Sequence, residues 1–260
     1  MSRIESPNPQ PRDGLTREIR TFWTEHVNAE RIFGKEVTQH TRGEDAYFQD
    51  LEAQRYRSHR HLLPWIQSMQ SGRTVLEIGC GVGLDSHAMA KHGLNVTSVD
   101  LTEVAVKTAN ARFVRHKIVG SFAVANAETL PFPSNSFDYV YSFGVLHHAA
   151  DTPQTIKEAY RVLKPGGEAR IMLYHRHSLN ELAHRLTRVP FEEKAAVCPV
   201  VRRYTKREIR ALFGDFSKIH IRLDYVFGEG YGTIFRLTPQ WIYDWLSRRF
   251  GWHIMIVATK

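Results

Sequence analysis

Residues 74–90, with the sequence TVLEIGCGVGLDSHAMA, decide the fold. A β-branched run is followed by three glycines at alternate positions and then by a segment of helical length. A glycine loop between a strand and a helix leaves backbone N–H groups free at the helix N-terminus, and it lets a ligand approach without an intervening side chain. The stretch therefore predicts a strand, a ligand-binding turn and a helix.

The same alternation continues along the chain. The strand-like runs are TVLEI, NVTSVD, SFAVA, FDYVYS and EARIMLY, and segments of helical length lie between them. Alternating strands and helices indicate a parallel sheet that is covered by helices on both faces. Further helices are predicted at residues 178–186, after Thr205 with Glu208 completing a capping box, and after Pro239. The runs SKIHIRLDYV and WHIMIVATK predict the last two strands.

Two helical stretches precede the glycine loop, at residues 15–32 and 44–69. The second interleaves aromatic and basic side chains. Because such side chains can cover an apolar substrate, they are candidates for a lid, although ordinary packing against the sheet is the alternative. The lid candidates are Tyr47, Phe48, Tyr56 and Arg57.

These patterns divide the chain into three parts. Residues 1–14 contain Pro, Ser and Asn but few apolar side chains, which predicts a disordered leader. Residues 15–70 are expected to form an N-terminal helical lid. Residues 71–260 are the predicted core, in which insertions at about 175–204 and 225–251 are expected to cap the substrate.

Polar residues near the glycine loop indicate the kind of ligand. Glu77 would repel a pyrophosphate but suits a cationic group, and Leu84 stands where a dinucleotide fingerprint would have its third glycine. Asp100 ends the next strand and can accept two hydrogen bonds from a ribose diol. Asn126, after the third strand, offers an acceptor and a donor to an adenine edge. S-adenosylmethionine fits this description.

The chain resembles the class I S-adenosylmethionine-dependent methyltransferases, and most closely their ubiquinone, menaquinone and natural-product branch. The resemblance covers residues 72–174 and rests on VLEIGCGVG, VTSVDLT, NAETLPFPSNSFDYVYSFGVLHH and RVLKPGGEARI. It implies an α/β fold, a three-layer Rossmann-like sandwich. Its seven-stranded, mostly parallel sheet would have an antiparallel last strand.

The resemblance also implies roles for individual residues. Those expected around the methionine part are Glu77, Gly79, Cys80, Gly81, Gly83, Ser142 and Phe143. Asp100 would bind the ribose, while Leu101, Asn126 and Ala127 would contact the adenine. The family usually has Asp at the position of Asn126, so this chain keeps the acceptor but not the charge.

Two adjacent histidines, His147 and His148, follow the predicted cofactor site in the run SFGVLHHAAD. Neutral imidazole is a suitable base near pH 7, so each is a candidate catalytic base. The alternative is that one of them holds the loop or contacts the substrate. The run is too local to hold a metal ion, and no metal is expected.

Charge is unevenly distributed along the chain. Residues 1–174 carry 20 Lys and Arg against 19 Asp and Glu, a net charge of +1, whereas residues 175–260 carry 15 against 8, a net charge of +7. A solvated basic surface and an anionic or polar group on the substrate both explain this excess. Residues 241–249 are amphipathic and basic, which is typical of membrane-surface contact or of domain packing.

The predicted function is methyl transfer from S-adenosylmethionine to a small organic molecule. The alternatives are a methyltransferase that modifies RNA or protein, docking through its basic last third, and a noncatalytic cofactor-binding protein. Nucleic-acid binding is not expected, because no appended module for it is present. No apolar run approaches the roughly 18 residues of a membrane span, and no signal peptide is visible, so a cytoplasmic enzyme is expected.

Overall fold

The computed structural model describes residues 12–27, 30–32, 35–187, 198–228 and 231–260. The predicted leader at residues 1–14 lies almost wholly outside these ranges. Its last three residues do not continue the leader but begin a helix, α1 (Arg12–Glu25). Asp13 lies in the first turn of α1, where the positive end of the helix dipole stabilises a carboxylate.

The helix predicted at residues 15–32 is shorter than expected. After α1, the chain forms a small antiparallel pair, β1 (Arg31–Ile32) with β2 (Lys35–Glu36). A ring nitrogen of His26 lies 3.0 Å from the Phe22 carbonyl oxygen, so the side chain competes for an acceptor of the last helical turn.

The helix predicted at residues 44–69 is in fact two helices, α2 (Asp45–Ser58) and α3 (Leu62–Gln67). Pro64 lies in the first turn of α3. A proline is tolerated there, but in the interior of one continuous helix it would remove a hydrogen bond and clash with the preceding turn. The break at residues 59–61 follows from this restriction.

Strands and helices then alternate as predicted from the glycine loop onward. The elements are β3 (Thr74–Ile78), α4 (Leu84–Lys91), β4 (Asn95–Asp100), α5 (Glu103–Arg115), β5 (Ser121–Val124), β6 (Phe137–Phe143), α6 (Thr152–Val162) and β7 (Leu163–His175). They are followed by α7 (Leu179–Thr187), β8 (Arg203–Tyr204), α8 (Lys206–Leu212), β9 (Lys218–Asp224), α9 (Thr233–Leu237), α10 (Gln240–Phe250) and β10 (His253–Thr259). The capping box of Thr205 and Glu208 is present at the start of α8.

The main sheet has the strand order β5-β4-β3-β6-β7-β10-β9. Its strands are parallel except β10, which is antiparallel to both of its neighbours, β7 and β9. This is the predicted seven-stranded arrangement with an antiparallel last strand. One strand of this sheet was not predicted: the two-residue β8 pairs with the end of β7, so the described sheet has eight strands.

Helices cover both faces of this sheet, which gives the predicted three layers. On one face, α6 and α8 pack on strand residues such as Leu76, Val140 and Ile256. On the other face, α3 and α4 pack on residues such as Val75 and Met172. Successive residues of a strand point to opposite faces, and Val75 and Leu76 therefore belong to different layers.

Candidate active site

The carboxyl ends of β3, β4, β5 and β6 meet at one edge of the sheet and open into a cavity. Its empty volume is about 1140 Å³, counting the part that is open to solvent. In open α/β sheets, ligands bind outside the carboxyl ends of the strands at the point where the strand order reverses. Here the reversal falls between β3 and β6, because β4 and β5 continue on one side and β7 on the other.

The glycine loop has a backbone and a packing that side chains would disturb. Gly79, Gly81 and Gly83 have φ values of 79°, 52° and 79°. A Cβ at Gly79 would lie 2.4 Å from Val145, and one at Gly83 would lie 2.7 Å from Ala109. At Gly81 a Cβ would meet nothing within 4 Å. Gly79 and Gly81 line the cavity, whereas Gly83 lies behind it against α5.

Asp100 is held at the end of β4 facing this loop. One carboxylate oxygen accepts a hydrogen bond from the Gly81 N–H at 3.0 Å, and the other accepts two from Thr102, through its N–H and its hydroxyl, both at 2.9 Å. Burial raises the pKa of Asp100 above its ordinary value, although these donors oppose the shift. About one of its four acceptor positions stays open, so a second ribose hydroxyl would have to compete with the Gly81 amide.

Leu101, Asn126 and Ala127 line the cavity beyond Asp100. The side-chain oxygen of Asn126 accepts a hydrogen bond from the Glu128 backbone N–H at 3.0 Å. This turn fixes the Asn126 side chain and leaves one acceptor lone pair for a ligand. Cys80 also lines the cavity as a free, buried thiol, and burial raises the pKa of that thiol.

Glu77 lies under the glycine loop and is only 3% exposed. One of its carboxylate oxygens accepts hydrogen bonds from the hydroxyls of Ser86 and Ser98, the latter at 3.1 Å. Burial, with a further contribution from the charge of Asp85, raises the pKa of Glu77 to about 8. The side chain is therefore mostly protonated at neutral pH when no cationic ligand is bound, and such a ligand would favour its ionised form.

An ion pair beside Glu77 was missed by the sequence analysis. Arg55 of α2 donates to Asp85 of α4 at 2.8 Å, and the hydroxyl of Tyr141 donates to the same carboxylate at 2.9 Å. Arg55 and Asp85 both line the cavity, and the Arg55 guanidinium lies 5.0 Å from the centre of the Phe143 ring. Asp85, which closely follows the glycine loop, was the only local sign of this ion pair in the sequence, because its partner Arg55 lies 30 residues away.

The two residues predicted beside the methionine group at the end of β6 have different positions. Phe143 lines the cavity. The neighbouring Ser142 is fully buried and donates its hydroxyl hydrogen bond to the Ile78 carbonyl at 2.9 Å. Ser142 therefore joins β6 to β3 beneath the cavity and is not part of its wall.

Of the two candidate bases, only His148 lines the cavity. A ring nitrogen, Nδ1, lies 2.7 Å from the Val200 carbonyl oxygen. Because a carbonyl can only accept, Nδ1 carries the proton and Nε2 keeps its lone pair. Burial lowers the pKa of His148 to about 4, so the ring is neutral near pH 7.

His147 is buried more deeply than His148 and does not line the cavity. It is 0% exposed, its ring centre lies 3.9 Å from that of Tyr174, and burial holds its pKa well below the ordinary value. Neither ring nitrogen has a hydrogen-bond partner among the described residues. This position indicates packing under the His148 turn more than contact with a substrate.

The segment after the undescribed residues 188–197 holds this histidine turn in place. The Arg202 backbone N–H donates to the His147 carbonyl at 3.0 Å, and the Arg202 guanidinium donates to the carbonyls of Ala149 and Ala150. Sequence patterns gave no sign of these contacts, because they join residues more than 50 positions apart.

The four lid candidates do not line the cavity. Tyr47 and Phe48 are buried in a cluster behind the glycine loop. The Tyr56 hydroxyl donates to the Leu84 carbonyl at 3.1 Å, and the exposed Arg57 contacts Gln54. These positions agree with ordinary packing, the alternative to a lid that was given above for the aromatic residues.

Helix α1, which belongs to the predicted N-terminal lid, forms part of the cavity wall, whereas the four candidates named in α2 do not. The lining residues from α1 and the residues after it are Thr16, Ile19, Trp23 and Val27. The ring of Trp23 lies edge-on to that of His148, with the centres 5.1 Å apart. No described residue after Ala150 lines the cavity, so the described part of the basic last third contributes no side chain to its wall.

Residues 76–171 match the family described as a methyltransferase domain. Over these residues the chain is similar to a methyltransferase domain. This match confirms the resemblance found in the sequence, and the position of the domain coincides with the sheet from β3 to β7. Within the described part of the chain, no group of three or more His, Cys, Asp or Glu side chains could hold a metal ion.

Relatives of this domain carry the names of small-molecule methyltransferases. The chain is 32% identical over 148 residues to the 2-methyl-6-phytyl-1,4-hydroquinone methyltransferase of Synechocystis sp., which covers 56% of this chain and 46% of that protein. It is 36% identical over 115 residues to the sterol 24-C-methyltransferase of Aspergillus fumigatus, covering 42% and 30% of the two chains. The chain thus spans less than half the length of these relatives.

The fold of the domain also matches solved structures. A methyltransferase from Thermotoga maritima, described as a possible histamine N-methyltransferase, superposes with a TM-score of 0.60 at 19% identity, covering 80% of this chain and 95% of that one. At this identity the likeness concerns the fold alone. None of the helices in the described ranges is long and apolar enough to cross a membrane.

Proposed function

We propose that the chain transfers a methyl group from S-adenosylmethionine to a small organic molecule. The observation that carries this proposal is the position of Asp100. Its carboxylate lies at the end of β4 and accepts a hydrogen bond from the Gly81 N–H, and Asn126 and Ala127 line the same cavity. A carboxylate that faces bare backbone, beside an amide edge, suits the ribose and adenine of a nucleoside.

The other end of the cavity suits the methionine part of the cofactor. Glu77 provides a carboxyl group for an ammonium or sulfonium cation, and Arg55 provides a guanidinium beside it. Because Arg55 is already paired with Asp85, the pair as a whole brings little net charge. S-adenosylmethionine supplies an electrophilic methyl group on its sulfonium when it is bound.

The chain's own residues would align the acceptor, exclude water and accept a proton. Trp23 and Phe143 give the cavity an apolar wall near the expected methyl group. His148 presents a neutral imidazole with a free Nε2 lone pair to the same space, so it is our candidate for the base. Its low pKa makes it a weak base, and we expect a contribution at the lower end of general base catalysis, about a hundredfold.

The acceptor is proposed to be apolar over the part that enters the cavity. Three apolar side chains of α1 and the residues after it, Ile19, Trp23 and Val27, form one wall. The relatives named for a phytylated hydroquinone and a sterol suggest the same class of acceptor. The expectation that the basic last third meets an anionic group of the acceptor gains no support from the cavity wall.

The test is calorimetric titration of S-adenosylmethionine into the chain and into Asp100→Ala. Losing charge-assisted hydrogen bonds to the ribose should weaken binding at least about tenfold. Asp215→Ala, which removes an equally negative but exposed side chain, is the control and should bind normally. Equal affinity of folded Asp100→Ala would exclude the proposed site. Label from methyl-labelled cofactor should then appear in lipid-extractable phenols or sterols, not in RNA or protein.

A further inference from the structure

The outer surface of α9 and α10 exposes large apolar side chains. Ile234 is 63% exposed, Leu237 75%, Trp241 73% and Trp245 49%. We call these four residues the α9–α10 patch. Single exposed apolar side chains are ordinary, but a contiguous group that includes two tryptophans marks an interaction surface.

Helix geometry places these side chains on outward faces. Trp241 and Trp245 are four residues apart in α10, so they lie one above the other. On the inward side of the same helix, Tyr243 and Ser247 are each 2% exposed. Phe235, between the two exposed residues of α9, is 1% exposed. The two helices therefore complete their own packing without using the patch.

Contacts with Arg60 hold the two helices that carry the patch. Arg60 lies in the connection between α2 and α3. Its guanidinium lies 4.3 Å from the centre of the Phe235 ring and 5.5 Å from that of Tyr243. Arg60 also donates to the Gln240 side chain at 2.9 Å. These contacts fix α9 and α10 against the N-terminal helices.

Positive charge surrounds the patch. Residues 231–250 contain three arginines, Arg236, Arg248 and Arg249, against one acid, Asp244. All three arginines are exposed, and the Arg249 guanidinium lies 4.4 Å from the centre of the Trp245 ring. Asp244 accepts a hydrogen bond from Gln240 at 2.7 Å within the same helix.

We propose that the α9–α10 patch docks the protein on the surface of an anionic lipid bilayer. Tryptophan side chains favour the boundary between headgroups and acyl chains, and arginines next to them pair with lipid phosphates. An amphipathic helix with both features on its exposed side lies in the plane of that boundary. The patch inserts its tryptophans, and the three arginines hold it to the negative headgroups.

The arrangement of charge argues against a second copy of the chain as the occupant. A two-fold interface brings the same surface of both subunits together. Arg248 and Arg249 would then face their own counterparts, or lie close to them, with Asp244 as the one acid of this segment. A bilayer of anionic lipid has the complementary charge.

The experiment is cosedimentation of the full chain with vesicles of phosphatidylcholine alone and of an equal mixture of phosphatidylcholine and phosphatidylglycerol. We expect binding to the mixed vesicles that weakens by about tenfold or more in Trp241→Ala/Trp245→Ala and in Arg248→Ala/Arg249→Ala. Brominated lipid should quench the tryptophan fluorescence of the unaltered chain, which tests insertion without any substitution.

Two control variants make the same number of apolar and of charge-removing substitutions elsewhere on the surface. Val114→Ala/Val119→Ala removes two exposed apolar side chains, 69% and 92% exposed, from the region of α5. Arg207→Ala/Arg210→Ala removes two exposed arginines from α8, which packs on the same sheet face as α6 and belongs to a different hydrophobic cluster from α9 and α10. Both should bind vesicles as the unaltered chain does. Calorimetric titration of S-adenosylmethionine and thermal unfolding verify that every variant is folded.

Three results would overturn the proposal. The first is failure of the unaltered chain to sediment with mixed vesicles. The second is equal weakening in the α8 control, which would mean that net charge alone causes binding. The third is a dimer in light scattering that Trp241→Ala/Trp245→Ala dissolves, which would assign the patch to self-association.

Discussion

At the scale of single residues, the site depends on carboxyl groups whose surroundings differ. Asp100 is oriented by three donors, whereas Glu77 is oriented by two serine hydroxyls and lies near the charge of Asp85. The first group faces a ribose in our proposal, and the second a cation. Their titration behaviour can therefore be tested separately.

We predict that Glu77 makes the protein less stable as the pH rises from about 4.5 to about 8. Its pKa is raised to about 8 in the fold, so the folded state keeps a proton that the unfolded chain releases near its ordinary value of 4.5. Glu77→Gln removes this dependence. The free energy of unfolding of the unaltered chain, minus that of Glu77→Gln, should fall by about 1 kcal/mol per pH unit between pH 6 and 8. Urea unfolding at three pH values measures it, and a constant difference would contradict the raised pKa.

His148 gives a second prediction at this scale. Asn can keep a donor for the Val200 carbonyl but offers no base, so His148→Asn should lower kcat about a hundredfold while cofactor affinity stays unchanged. Because the pKa of His148 is lowered to about 4, the ring stays neutral until the pH falls close to that value. Full turnover by His148→Asn, measured with labelled cofactor once an acceptor is known, would assign the residue a structural role.

At the scale of elements, the Arg55–Asp85 pair joins α2 to α4. The side chains are 15% and 3% exposed, so removal of one partner leaves a buried charge. Arg55→Met should therefore destabilise the fold by about 3 kcal/mol or more, and adding Asp85→Asn should restore part of that loss. Urea unfolding of both single variants and the double variant completes the cycle. Additive losses would mean that the pair is not coupled.

Also at the scale of elements, several secondary-structure features could be predicted from the sequence. Features that depend on neighbours along the chain were predicted correctly: the strands of the sheet, the capping box at Thr205 and the helix after Pro239. Their causes lie within a few residues, so the sequence contains them locally. The interruption at Pro64 was missed because the apolar spacing continued through it.

Contacts between distant segments could not be predicted in this way. Arg55 meets Asp85 and Val200 meets His148 only after the sheet has brought their elements together. The sequence likewise named aromatic residues of α2 as candidates within the N-terminal lid, whereas Trp23 of α1 lines the cavity. Which face of an aromatic-rich helix is buried depends on the docking of the whole helix, not on its composition.

At the scale of the whole molecule, a group of buried histidines predicts acid sensitivity. Burial lowers the pKa of His61 to about 3 and of His148 to about 4, and it holds those of His147 and His253 well below the ordinary value. The unfolded chain takes up these protons near pH 6.5, but the fold does not. The part of the stability that depends on these neutral histidines is therefore complete above pH 6.5 and is lost as the pH falls below it.

The size of this effect follows from proton counting. His59 and His175 also have a pKa lowered by burial, so six histidines lose stability on acidification. Glu77 gains it, which leaves five protons and a slope of at most about 7 kcal/mol per pH unit below pH 6.5. Urea midpoints from pH 7.5 to 5.5 measure the slope. A midpoint that stays constant over this range would show that the histidines are not buried in their neutral form.

The position of β10 has a consequence for synthesis of the protein. β10 follows all other sheet strands in the sequence, yet it lies between β7 and β9. While a ribosome is still translating this segment, both neighbours have unpaired edges, and the Ile- and Leu-rich surfaces beneath them remain uncovered. Such edges invite pairing with other nascent chains. Slow translation of this segment would therefore expose the protein to aggregation.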